Sequence, residues 1–80
     1  MQTGDRVRWS GAALRPTREY WLSRGGPDKD AAKRYYEAKV AERGTLVAIW
    51  SNRFATQIYV VHWDSGPHSE CLPFLIEPAT

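Results

Sequence analysis

The chain has 80 residues, one cysteine, and 11 basic against 9 acidic side chains, for a formal net charge of +2. That length predicts one domain over residues 1–80, and the lone Cys71 excludes an internal disulfide framework. No apolar run approaches the about 18 residues that a spanning helix needs, so no membrane partner is expected.

Residues 1–5 carry no apolar signal core, which with the single thiol reads as a protein of the reducing cytoplasm. A chain this short buries only about 60% of its unfolded surface. Its core must come from four Trp, four Tyr and two Phe, each able to bury about 150–250 Å².

Val7 and Trp9 alternate with Arg6 and Arg8, a period of two that predicts a half-buried strand over residues 4–9. Ser10-Gly11 breaks it. Pro16-Thr17 then predicts the start of a short helical turn over residues 18–22, with Thr17 as N-cap or Pro16 as first residue. Gly25-Gly26-Pro27 ends that turn. Residues 28–43 predict a helix with Ala32, Tyr36 and Val40 on one stripe, Tyr35 beside them, and Gly44 as a left-handed stop.

Residues 45–50 are rich in strand formers, and Ser51-Asn52-Arg53 reads as a turn. Residues 57–63 form the clearest strand, with Tyr59, Val61 and Trp63 on one face and Ile58, Val60 and His62 on the other. Asp64-Ser65-Gly66-Pro67 is a hairpin turn, and residues 68–72 return. Pro73-Phe74-Leu75 predicts a 3₁₀ turn before a last strand at 76–77.

Four segments in this order resemble the small SH3-like proteins of bacteria and phages: Gly4-Asp5-Arg6-Val7, Gly44-Thr45-Leu46-Val47, Val60-Val61-His62-Trp63-Asp64-Ser65-Gly66, and Leu72-Pro73-Phe74-Leu75-Ile76. The resemblance implies a mainly β (α+β) fold, a five-strand SH3-like barrel. A helical insertion of about residues 15–43 lies between its first two strands. A mobile-element origin follows as an expectation from the same resemblance and the small size; no function follows, because this barrel hosts many unrelated activities.

Gly4-Asp5-Arg6-Val7-Arg8-Trp9-Ser10-Gly11-Ala12-Ala13 also looks like the opening of the type II, plasmid-borne dihydrofolate reductases. Their working motif is Val-Gln-Ile-Tyr-Pro. Gln57-Ile58-Tyr59 occurs here in a middle strand, while the position that matches by order reads Ser69-Glu70-Cys71-Leu72-Pro73. Glu70 stands for the glutamine and Leu72 for the tyrosine. A carboxylate there repels two anionic ligands, so the chain reads as a non-catalytic protein without a cofactor.

His62, Asp64, His68 and Cys71 lie across one hairpin. His68 and Cys71 are three apart in a strand and face opposite ways, so no metal site is expected. Trp9, Trp50, Trp63 and Tyr59 are candidates for an aromatic cage, but a core this short of aliphatics needs the tryptophans inside, and the core reading is the stronger one. Basic residues interleaved with Tyr20, Trp21, Tyr35 and Trp50 leave nucleic acid as an alternative partner. The insertion itself is the more informative feature: so long a connection is either functional or an interface, or it packs on its own barrel to extend the core, and the two readings are compatible. The candidate binding residues are Arg18, Tyr20, Trp21, Arg34, Tyr35 and Trp50, with a protein partner or a second copy as the expected ligand.

Overall fold

Val7 and Trp9 alternate with two arginines along β1 (Arg6–Trp9), as their period demands. Two helices follow, α1 (Gly11–Ser23) and α2 (Gly26–Ala41). The remaining strands are β2 (Gly44–Ser51), β3 (Gln57–Trp63), β4 (His68–Cys71) and β5 (Ile76–Pro78), with a 3₁₀ turn at Pro73–Leu75 before the last. The structure, a computed structural model, describes residues 1–79.

The five strands form one antiparallel sheet in the order β4-β3-β2-β1-β5. It is open: β4 and β5 are its two edges. The fold is α+β rather than mainly β, because helices of 13 and 16 residues outweigh strands of 4, 8, 7, 4 and 3.

One face of the sheet builds the core. Tyr59, Val61 and Trp63 point inward from β3, as alternation requires, and Val7, Leu46, Cys71 and Ile76 join them from the other four strands. Both edge strands therefore feed one apolar cluster. Leu46 and Ile49 are three residues apart and in a regular strand would face opposite ways. A register shift between Leu46 and Ala48 leaves Val47 over and brings Leu46 opposite Val61 and Ile49 opposite Tyr59. The bulge lets both pack on the core.

Gly44 is buried inside this cluster rather than acting as a left-handed helix stop; the positive-φ glycines are Gly4, Gly26 and Gly66. It sits between Val7 of β1 and Trp63 of β3 in the ladder. Its missing side chain makes room for the Trp63 indole. Trp9 stacks on that indole, with ring centroids 4.6 Å apart. Trp63 Nε1–H donates to Ser69 Oγ at 2.9 Å, so the buried ring keeps a polar partner.

The helical insertion starts earlier than its sequence suggests. Ser10, read as a breaker, is the N-cap of α1: its Oγ accepts from the Ala13 amide and donates to the Phe74 carbonyl at 2.6 Å. Its own amide donates to the Leu75 carbonyl. Ser10 thus starts a helix and ties it to the 3₁₀ turn. Pro16 lies inside α1, not at its start. It removes one amide donor to the Ala12 carbonyl, and both residues are exposed, so that oxygen is open to solvent. α2 begins two residues before its expected start and ends at Ala41, with Glu42 extended.

The two helices form a hairpin that stands off the sheet. They pack chiefly on each other, and their contacts with the sheet region run mainly through β1 and the 3₁₀ turn. Helices of these lengths are about 20 and 24 Å long. The molecule accordingly measures 43 Å on its longest axis, with a radius of gyration of 14.1 Å against about 12 Å for a compact chain of this size.

Candidate functional site

Between residues 11 and 43 lie eight basic and five acidic side chains, so the hairpin is positive while the remainder of the chain is slightly negative. Helical spacing decides which of them face outward. Ala13, Thr17 and Trp21, each four apart, are the buried and half-buried side of α1. On α2 the corresponding side is Ala32, Tyr36 and Lys39. Trp21 stacks on Tyr36 with centroids 5.5 Å apart, which locks the two helices together.

The same repeat places Leu14, Arg15, Arg18 and Leu22 on a flank of α1. With Tyr36 of α2 they line a depression of about 350 Å³. A second depression of about 280 Å³ shares Gly11 and Leu14 and continues past Trp9, Val40 and Arg43 to Arg8 and Glu77. Because they share a wall, the two are one groove running down the hairpin to β1 and β5. Its exposed apolar side chains are aliphatic, Leu22 at 54% and Val40 at 40%, with the half-buried rings of Tyr36 and Trp9 beside them.

The rim is basic. Arg8 is paired with Glu77 at 3.3 Å. Arg43 donates to the Val40 and Glu42 carbonyls, both at 2.9 Å. Among the described residues, no carboxylate pairs with Arg15, Arg18 or Arg43.

The six residues singled out from sequence do not converge. Arg18 lines the groove. Tyr20 and Arg34 are exposed on the outer surfaces of their helices, and Arg24 lies over the Tyr20 ring at 4.2 Å. Trp21 is not an exposed anchor but part of the helix–helix contact, with its indole nitrogen buried and unpartnered. Tyr35, 63% exposed, borders a further depression with Trp9, Lys39 and Glu42, which meets the groove at Trp9. Trp50 pairs with Ile58 on the outer face of the sheet, six residues along β2 from Gly44, or about 20 Å. Sequence reading missed Leu14, Arg15, Leu22 and Val40. The spacing 11, 14, 15, 18, 22 is the signal that finds the three on α1 once Gly11 and Pro16 are accepted as helical, and Val40 already stands on the apolar stripe of α2.

The other constellations resolve differently. Trp9, Trp63 and Tyr59 serve the core and Trp50 is remote, so they form no cage; Lys39 Nζ lies 4.8 Å from the Trp9 ring. His62 and His68 are cross-strand partners whose rings stack at 4.3 Å. Among the described residues no three His, Cys, Asp or Glu side chains gather as a metal site. Asp64 instead binds Arg6, which holds its carboxyl below the usual range mainly through the side-chain hydrogen bond. Cys71 is buried, and burial pushes its thiol up. Its Sγ–H donates to the Tyr59 carbonyl at 3.6 Å, so it is a poor nucleophile. In Gln57-Ile58-Tyr59 the tyrosine is a core residue, and Glu70 is exposed on the outer face opposite Val60. Among the described residues, no helix is long and apolar enough to cross a membrane.

Comparison of the chain with protein-family models, with curated proteins and with solved structures finds no match.

Proposed function

We propose that this chain is a non-catalytic binding module of SH3-like architecture whose helical hairpin carries the recognition surface for a partner protein. Three features support the architecture: the strand order β4-β3-β2-β1-β5, the 3₁₀ turn before β5, and one core fed by both edge strands. The observation that carries the functional reading is the hairpin itself. It projects from the sheet and leaves Tyr20, Leu22, Tyr35 and Val40 between 40 and 63% exposed. A hairpin that served only to extend the core would lay those side chains against the sheet. Exposed aromatic and aliphatic anchors beside arginines are the composition of protein-binding surfaces.

The test is affinity capture from the native host with the wild-type chain and with a Tyr20→Ser/Tyr35→Ser variant, after circular dichroism shows both folded. Both tyrosines are exposed, so the fold is retained. The reading expects a stoichiometric protein partner that the variant loses. Capture indifferent to the hairpin changes, or retention of nucleic acid alone, contradicts it.

A further inference from the structure

The hairpin reading leaves the partner's chemistry open, and the groove on one flank of the hairpin narrows it. This inference rests on that reading. We infer that the groove between α1 and α2 is a docking site for an acidic, amphipathic helical segment of another protein.

Charge is the first argument. Arg15, Arg18 and Arg43 line the groove without a carboxylate partner among the described residues, and Arg8 is already neutralised by Glu77. Glu19 is the one remaining carboxylate of the lining. The groove therefore offers three guanidinium charges against one carboxylate. Guanidinium groups take carboxylates two-pronged, so an acidic segment is the complement.

The floor decides between anions. Nucleic acid on a basic surface is held by bases stacked on aromatic faces. Here Leu14, Leu22 and Val40 form the aliphatic floor, and the two aromatic rings of the lining, Tyr36 and Trp9, already stack on Trp21 and Trp63. Aliphatic side chains between arginines suit apolar anchors flanked by carboxylates. A second copy of this chain fits poorly. A two-fold contact through the groove sets Arg15 and Arg18 against the same arginines of the other copy.

Length fixes the form of the occupant. Gly11 to Leu22 spans eleven residues of helix, about 16 Å or three turns. An antiparallel helix pair presents a straight trough of that length, which takes a helix with anchors at i, i+4 and i+7.

The test uses fluorescence anisotropy with the intact chain and a labelled helical peptide of about 16 residues, leucine at the anchor positions and glutamate elsewhere. Two control peptides carry lysine for every glutamate, or serine for every leucine. The chain is used as wild type, as Arg15→Glu/Arg18→Glu, and as Leu22→Ser, all changes at exposed positions. The acidic leucine peptide is expected to bind the wild type alone among the three peptides. The charge reversal weakens it at least about tenfold and Leu22→Ser about fivefold. The inference is overturned if that peptide fails to bind, if the lysine peptide binds as well, or if both variants bind like wild type. It is also overturned if light scattering shows a dimer that Leu22→Ser dissolves, or if single-stranded oligonucleotide outcompetes the peptide. Should the peptide fail while the Tyr20→Ser/Tyr35→Ser change still abolishes native capture, the groove is wrong and the hairpin reading survives. Capture indifferent to every hairpin change removes both.

Discussion

Gly44 gives the sharpest test of how the sheet is built. A β-carbon there lies 2.8 Å from the His62 carbonyl oxygen, from Trp63 Cε3 and from Val61 Cγ1, where ordinary contact begins at 3.4 Å. One of the three obstacles is backbone and one is a fully buried indole, so neither swings aside. Relief of a shortfall near 0.6 Å requires β2 and β3 to part at the centre of the core. Overpacking of this kind costs about 2–3 kcal/mol, which in a domain of this size lowers the melting temperature by roughly 10–20 °C. Gly44→Asn, with more atoms in the same space, must be worse than Gly44→Ala. If Gly44 were instead a helix stop, asparagine would replace it at little cost. Gly11→Ala is the control: its β-carbon meets nothing within 4 Å, and a small rise in melting temperature follows from the stiffer unfolded chain. Thermal melts by far-UV circular dichroism measure all three. A Gly44→Ala protein that melts within about 3 °C of wild type refutes the packing assigned to β2 and β3.

Ser10→Ala removes both the α1 cap and the bond to the Phe74 carbonyl; a loss of about 1–2 kcal/mol is expected by urea denaturation. Trp21→Ala takes away the stack on Tyr36 and costs about 2 kcal/mol for a half-buried ring. Helical signal should fall while near-UV signal from Trp63 persists; a fully helical variant would show that the hairpin does not depend on that contact. Asp64 has its folded pKa lowered by Arg6, so its contribution is present above the unfolded carboxylate value and is lost as pH falls through the folded one. Melts between pH 7 and 2 should therefore show a small acid loss that Asp64→Asn lacks. Oxidation of NADPH in the presence of dihydrofolate is expected to stay at background even at high protein concentration, given the carboxylate of Glu70; turnover would revive the reductase resemblance.

The strands were legible because their physics is local. Alternation in residues 6–9 and 57–63 names the inward side chains, and Asp64-Ser65-Gly66-Pro67 and Pro73 mark where pairing must stop. The bulge at Val47 was not legible: five successive apolar residues from Leu46 to Trp50 show no period, and only pairing with β3 assigns their faces. The start of α1 was hidden because Ser10-Gly11 and Pro16 are breakers by propensity, whereas the bond from Ser10 to the Phe74 carbonyl comes from sixty-four residues away. The candidate residues scattered for the same reason. Side-chain type marked Trp21 and Trp50 as anchors, but docking of α2 buries part of the first, and the run of β2 carries the second to the far end of the sheet. The groove depends on which flank of each helix the other leaves open, a choice made by tertiary contact.

The central claim, that recognition belongs to the hairpin and not to the sheet, is tested most directly by ¹H–¹⁵N correlation spectra of the labelled chain titrated with its captured partner. Amide shifts concentrated on α1 and α2, strongest around Leu14, Arg18, Leu22 and Val40, are the predicted result. Shifts concentrated at Trp50, Ile58, Val60 and His62, with both helices unmoved, would place the interface on the outer face of the sheet and contradict the account.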